Sequence, residues 1–188
     1  MTSGAEAVVC SAMTAATRGA AERVLGAFLD GDAHYRASAA SYGDGGPEAL
    51  GRALDLFLAR PALGFVWIAQ IAAGANAAAD AVGACVVCYA ISTARGSLVA
   101  KLDDVAVASS WQGRGVGSAM LGALAAHLRS RGVTRIDSSC HRGNDAALRF
   151  YERLGFRKLD EERIALILWN RSDERRRRRR SFAAECPR

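Results

Sequence analysis

The apolar positions of this chain change their period along its length. Residues 6–13 (EAVVCSAM) form a short apolar run that predicts a strand. From residue 18 the period lengthens: Ala21, Val24, Leu25 and Phe28 share one face of a helix over 18–29, with Thr17 as its cap. Residues 30–46 are polar and Gly-rich and predict a loop. Pro47 suits a helix start, and Leu50, Leu54, Phe57 and Leu58 repeat at helical spacing until Pro61 stops the helix. Three apolar runs follow at 64–71, 81–92 and 97–107. The first, with Phe65, Val66, Trp67 and Ile68, is β-branched and aromatic. A small-residue connection (72–80) and a turn (93–96) separate them, which predicts an antiparallel meander. Helical spacing returns at 115–131 through Val116, Met120, Leu124 and Leu128, and Gly132 ends that helix. A strand over 133–140, a helix over 144–154, and strands at 156–158 and 163–169 complete the pattern.

The order predicts one α/β domain with a mixed, mainly antiparallel sheet flanked by helices. A length of 188 residues suits a single domain over 1–169, with 170–188 as a separate solvated tail. Hydrophobic residues at 51% and charged residues at 23% exclude global disorder. The net charge of +6 changes meaning once it is located. Residues 170–188 hold eight arginines (Arg171, Arg175 to Arg180, Arg188) against three acids, a net of +5, which leaves +1 for the body. Nucleic acid is therefore not an expected partner of the folded body, only of the Arg-rich tail, which by default is a disordered solvated run.

No stretch of about 20 clean apolar residues predicts a membrane span, because Gln70, Asn76 and Asp80 interrupt the most apolar region. Glu6 and the missing apolar segment speak against a secretory signal. The odd, scattered set Cys10, Cys85, Cys88, Cys140 and Cys186 fits a reducing compartment. The expected location is cytoplasmic, with nuclear import open through Arg175 to Arg180. Cys85 and Cys88 lie within one apolar run and point to opposite faces, with no second pair and no suitably spaced His, so no metal site is expected.

Chemistry concentrates after the third strand of the meander. Gln112-Gly113-Arg114-Gly115-Val116-Gly117 joins a strand to a helix. Glycines there expose backbone N–H groups, and a helix start adds partial positive charge, a combination that cradles phosphate. No Gly-Lys-Ser/Thr follows, so a Walker loop is excluded. A dinucleotide fingerprint finds Gly113, Gly115 and Asp137, but Ser118 occupies the third glycine position and residues 108–112 replace the tight turn.

Together with a second motif this loop resembles the GNAT superfamily of acetyl-CoA-dependent N-acetyltransferases. Gln112-x-x-Gly115-x-Gly117 fits that family's pyrophosphate motif, and Asp103-Asp104-Val105-Ala106-Val107 looks like its fourth strand. Downstream, Asn144-x-x-Ala147-x-x-x-Tyr151-x-x-x-Gly155-Phe156 matches its second motif. The motif-bearing part is 97–169. Ser109 stands where many members carry proline. The resemblance implies a GNAT-like acyl-CoA N-acyltransferase fold, a V-shaped opening between the strands at 97–107 and 133–140, and acetyl-CoA as co-substrate without a metal. It implies coenzyme contacts from Val105, Ala106, Val107, Gln112, Gly113, Arg114, Gly115, Val116, Gly117, Ser118, Asn144 and Tyr151. Tyr151 is expected to give a proton to the leaving thiolate. Asp103 and Asp104 are the base candidates. Strand alternation sends them to opposite faces unless a bulge intervenes, and Asp103 is favoured as base, with Asp104 shaping the acceptor site.

The expected reaction is direct attack by an amine on acetyl-CoA in a ternary complex. The acceptor is a small-molecule or protein amine. Asp30, Asp32, Asp44 and Glu48 against Arg36 hint that it is cationic. A homodimer is left open. The competing reading is a non-catalytic acyl-CoA-binding regulatory domain whose basic tail docks on nucleic acid.

Overall fold

The computed structural model describes residues 7–36, 47–72 and 80–161. Its elements are β1 (Val8–Ala12), α1 (Arg18–Gly31), α2 (Pro47–Ala59), β2 (Gly64–Ile71), β3 (Ala81–Ser92), β4 (Ser97–Val107), a 3-10 turn (Ser109–Trp111), α3 (Val116–Ser130), β5 (Ile136–Asp137) and α4 (Asp145–Arg153). The strands form one sheet in the order β1-β2-β3-β4-β5. β1 to β4 pair antiparallel, and β5 joins β4 in parallel. The chain's contacts divide it after Phe156. The expected boundary at 169/170, the strand at 163–169 and the Arg-rich tail all lie outside the described residues.

Both faces of the sheet are covered, which is why β2 and β3 read as near-continuous apolar runs. One core packs α3 against Trp67, Ala69, Cys85, Val87, Ala100 and Leu102 through Val116, Met120, Leu124 and Leu128. The other packs α1 and α2 against Val66, Ile68, Ala84, Val86 and Ala106 through Val24, Leu25 and Leu54. Cys85 belongs to the first core and Cys88 lines the second, as alternation requires. Arg18 ties α1 to α2: Nε donates to Asp55 Oδ1 at 2.6 Å and Nη2 to Gly51 O at 3.1 Å. Gly64 (φ +151°) tolerates no side chain, because a Cβ there would meet Val87 O at 2.0 Å.

Four expectations need correction. Residues 33–36 are helical rather than loop, since Asp32 Oδ1 accepts from Tyr35 N at 2.7 Å and starts a turn. Thr17 occupies the N-cap position of α1, but its hydroxyl accepts from Thr14 N at 2.9 Å and caps nothing in the helix. The strand expected over 133–140 pairs only at Ile136–Asp137. Residues 156–158 form no strand. In the first of these two cases the segment leaves β4 after Asp137, and in the second no ladder partner lies among the described residues.

Candidate functional site

The site begins where β4 and β5 part. Their ladder holds only Ala100↔Ile136 and Lys101↔Asp137. Beyond Lys101, β4 continues for six residues with β3 on one side and no strand among the described residues on the other. Backbone N–H and C=O groups on that outer edge of Leu102 to Val107 are thus left without a ladder, as an extended ligand would require. An apolar recess of about 80 Å³, lined by Leu102, Leu124, Ile136, Leu154 and Phe156, sits at the foot of the seam.

A bulge lies at the top of the unpaired stretch. Cys85 pairs with Val105 and Val87 with Leu102, so Asp103 and Asp104 together oppose Val86. The extra residue explains why Ala100 and Leu102, then Val105 and Val107, all reach the α3 core although their parities differ. The two aspartates do not share an environment. Asp103 is exposed and lies 3.5 Å from Lys101 Nζ. Asp104 is half-buried, and burial, with the charge of Asp103 added, pushes its carboxyl up to about 6, against a smaller opposing pull from Lys101. Its charge is felt at the Tyr151 phenol.

The glycine turn follows. Ala108 N donates to Val82 O at 2.9 Å and the Gln112 side-chain amide to Val107 O at 3.0 Å, so the link from β4 is bracketed at both ends. Gly113 (φ +73°) and Gly115 (φ +83°) adopt backbone that L side chains resist, and a Cβ on either would point into open space. Gly115 is the N-cap of α3 and supplies no side-chain cap. The first N–H groups of α3, from Val116, Gly117 and Ser118, therefore remain for an anion. Gly117 also serves packing, because a Cβ there would lie 3.2 Å from Phe150 Cζ and 3.6 Å from Val107 Cγ2. Its bare backbone lets α4 close against α3. Arg114 lies over the Trp111 ring at 5.2 Å, a cation–π contact that sequence spacing did not suggest.

Asn144 is the N-cap of α4, its Oδ1 accepting from Ala147 N at 3.0 Å. That cap sets the helix that carries Tyr151 to the seam, where its ring meets Phe150 and Phe156 at centroid distances of 5.5 and 5.2 Å. Burial raises the phenol's pKa, and the neighbouring Ser138 hydroxyl pulls it back. Ser138 is a residue that the sequence alone did not reveal, since nothing in its spacing marks it. The histidines lie elsewhere. His127 is wedged beside Trp67, at 4.8 Å between ring centroids. His141 stacks on His34 at 5.1 Å. Among the described residues, no group of three or more His, Cys, Asp or Glu could hold a metal ion.

The sequence matches the family described as "Acetyltransferase (GNAT) family" over residues 33–156. No curated protein matches the chain. Solved structures share its fold. A transcriptional regulator from Bacillus halodurans C-125 is 24% identical with a TM-score of 0.65, covering 86% of this chain and 100% of its own. An acetyltransferase from Trypanosoma brucei is 21% identical with a TM-score of 0.61, over 86% and 100%. Glucosamine-6-phosphate N-acetyltransferase from Arabidopsis thaliana is 15% identical with a TM-score of 0.60, over 86% and 99%.

Proposed function

The chain belongs to the GNAT acetyltransferase family, and from that premise we propose that it moves an acetyl group from acetyl-CoA to an amine by direct attack in a ternary complex. The observation that carries the reading is the seam itself. A strand edge without a ladder partner runs from a half-buried carboxylate to an uncapped helix start. Those three features suit, in order, an amide-bearing arm beside the edge, an amine beside the carboxylate and a pyrophosphate at the turn. The open space beside Gly113 and Gly115 and the missing side-chain cap on α3 fit the pyrophosphate.

The coenzyme brings a thioester, which an amine attacks without a covalent enzyme intermediate. A route through Cys85 is disfavoured, because burial drives that thiol's pKa far upward. We assign the base role to Asp104 in preference to Asp103. Asp103 is exposed beside Lys101, whereas Asp104 is held in a drier setting that makes it a stronger base. A free alkylammonium has a pKa of about 10.4, so the acceptor must lose a proton to react, and Asp104, a short side chain, would take it through a water. A backbone N–H of Val105 or Val107 would meet the developing oxyanion. Tyr151, kept protonated by burial, would give its proton to the leaving sulfur. The exposed acid Asp30, with Asp32 on the segment after α1, supports a cationic acceptor of the alkylamine class.

The test is a panel of primary amines read by release of free CoA. Turnover is expected with at least one cationic amine, and acetyl-CoA is expected to raise the Tm where NAD does not. Tyr151→Phe should lower kcat by about 10²-fold or more and leave the coenzyme-induced Tm shift intact. Coenzyme binding with no turnover across the panel would favour the non-catalytic acyl-CoA-binding reading.

A further inference from the structure

One buried polar atom in the cleft wall has no part in the reaction just described. Ser138 follows Asp137, the last residue of β5 that pairs with β4, so it is the first residue past the point where the strands separate. Its hydroxyl is buried and, among the described residues, has no partner with hydrogen-bond geometry. Interior hydroxyls are nearly always bonded, because an orphan loses its water and gains nothing in exchange. Alanine would remove that penalty at no loss of packing, so the hydroxyl calls for a use.

Its neighbour supplies one. The Tyr151 ring lies in the same core as Ile136 of β5 and packs edge-on against Phe156. The Ser138 hydroxyl stands close enough to the Tyr151 phenol to ease its ionisation. Everything else felt by that phenol opposes ionisation: burial first, then its electrostatic surroundings, the Asp104 carboxylate among them. The serine is the single group acting in the other direction.

We propose that Ser138 is a positioning residue for Tyr151, its orphaned hydroxyl at the parting of β4 and β5 turning to donate to the phenol oxygen as that oxygen releases its proton. The assignment rests on Tyr151 being the proton donor. In that step the Tyr151 O–H bond breaks, an S–H bond forms on the departing thiolate, and negative charge is left on Tyr151 Oη. Ser138 Oγ–H then donates to that charge, a charge-assisted bond that the neutral phenol does not draw as strongly. The bond is thus weak in the resting site and strong when the proton has gone, which is the difference that lowers a barrier. A buried hydroxyl without a partner in the resting site, yet felt by the phenol, is what such a device leaves behind.

The experiment uses the full chain with Ser138→Ala and Ser138→Thr. Titration of Tyr151 is followed by the NMR signal of its ring Cζ, assigned by its loss in Tyr151→Phe, and needs no turnover. Ser138→Ala should move the Tyr151 midpoint to higher pH, and Ser138→Thr should keep it near wild type. With an accepted amine, Ser138→Ala should lower kcat about 5-fold with KM for acetyl-CoA within about 2-fold, and the alkaline limb of kcat should move up with the midpoint. In a Tyr151→Phe background the same change should have no further effect on kcat. An unmoved Tyr151 midpoint in Ser138→Ala overturns the assignment, as does a full additional loss in the Tyr151→Phe background. A moved midpoint in a protein that turns over no amine supports the pairing and removes the catalytic reading instead.

Discussion

The two halves of the sheet obey opposite rules. From β1 to β4 each strand is laddered to the next over most of its length, both faces are roofed by helices, and the inward side chains are apolar. At the β4–β5 junction the ladder stops after two residue pairs, a bulge sets two acids opposite one valine, and a hydroxyl is buried alone. The first half is stable because its polar groups are satisfied internally. The second departs from that rule at each position where a ligand could supply the missing partner. Stability and chemistry are therefore divided along the sheet, and substitutions in the two halves should fail differently.

Asp104→Asn tests the functional half most severely. It should lower kcat about 10²- to 10⁴-fold in the amine assay. The wild-type rate should rise as pH passes through about 6, the value to which burial pushes this carboxyl. The effect on stability has the opposite sign. A carboxyl whose pKa is raised on folding, here from 3.8, stabilises the fold while protonated and loses that contribution as pH climbs through about 6. The asparagine variant should thus melt above wild type at pH 8 and lose that advantage near pH 4. A lower melting temperature at pH 8 would mean that the charge is satisfied in the fold.

Leu25→Ala samples the structural half. Leu25 is fully buried in the α1 core, and its truncation should destabilise by about 2–5 kcal/mol in urea unfolding. The kcat of the protein that remains folded should be unchanged, and a large fall would show that the halves are coupled. Gly115→Glu should erase the coenzyme-induced Tm shift, because a carboxylate would enter the space left for phosphate and repel it. Its own backbone strain at φ +83° should be limited to about 1–2 kcal/mol. Gly117→Ala should have the smallest effect, about 1 kcal/mol, since Phe150 must give by a few tenths of an ångström. An unchanged stability there would show that α4 can shift without loss.

How much of this was legible in the sequence follows the same division. Period and composition placed α1, α2, the three-strand meander and α3 close to their observed bounds, because those elements are decided by burial, which leaves a periodic trace. The two motifs located the glycine turn and the helix of Tyr151. Strand length at β5 was not legible: nothing in residues 133–140 marks where pairing stops, and only the divergence from β4 decides that the ladder ends at Asp137. The difference between Asp103 and Asp104 was equally hidden. Alternation alone sends the two to opposite faces, but the bulge at this position and the reach of Lys101, which decide their surroundings, leave no trace in the sequence. Thr17 fits the N-cap preference yet bonds backwards to Thr14, a case of local side-chain chemistry competing with the helix.

The bracket formed by the Gln112 amide on Val107 O bears on how a ligand is received. Because the segment leading to Gly113 is already pinned to the strand, docking there immobilises little additional chain. For a ligand docking at this turn, cutting the pin would then weaken capture by adding chain freedom that binding must remove.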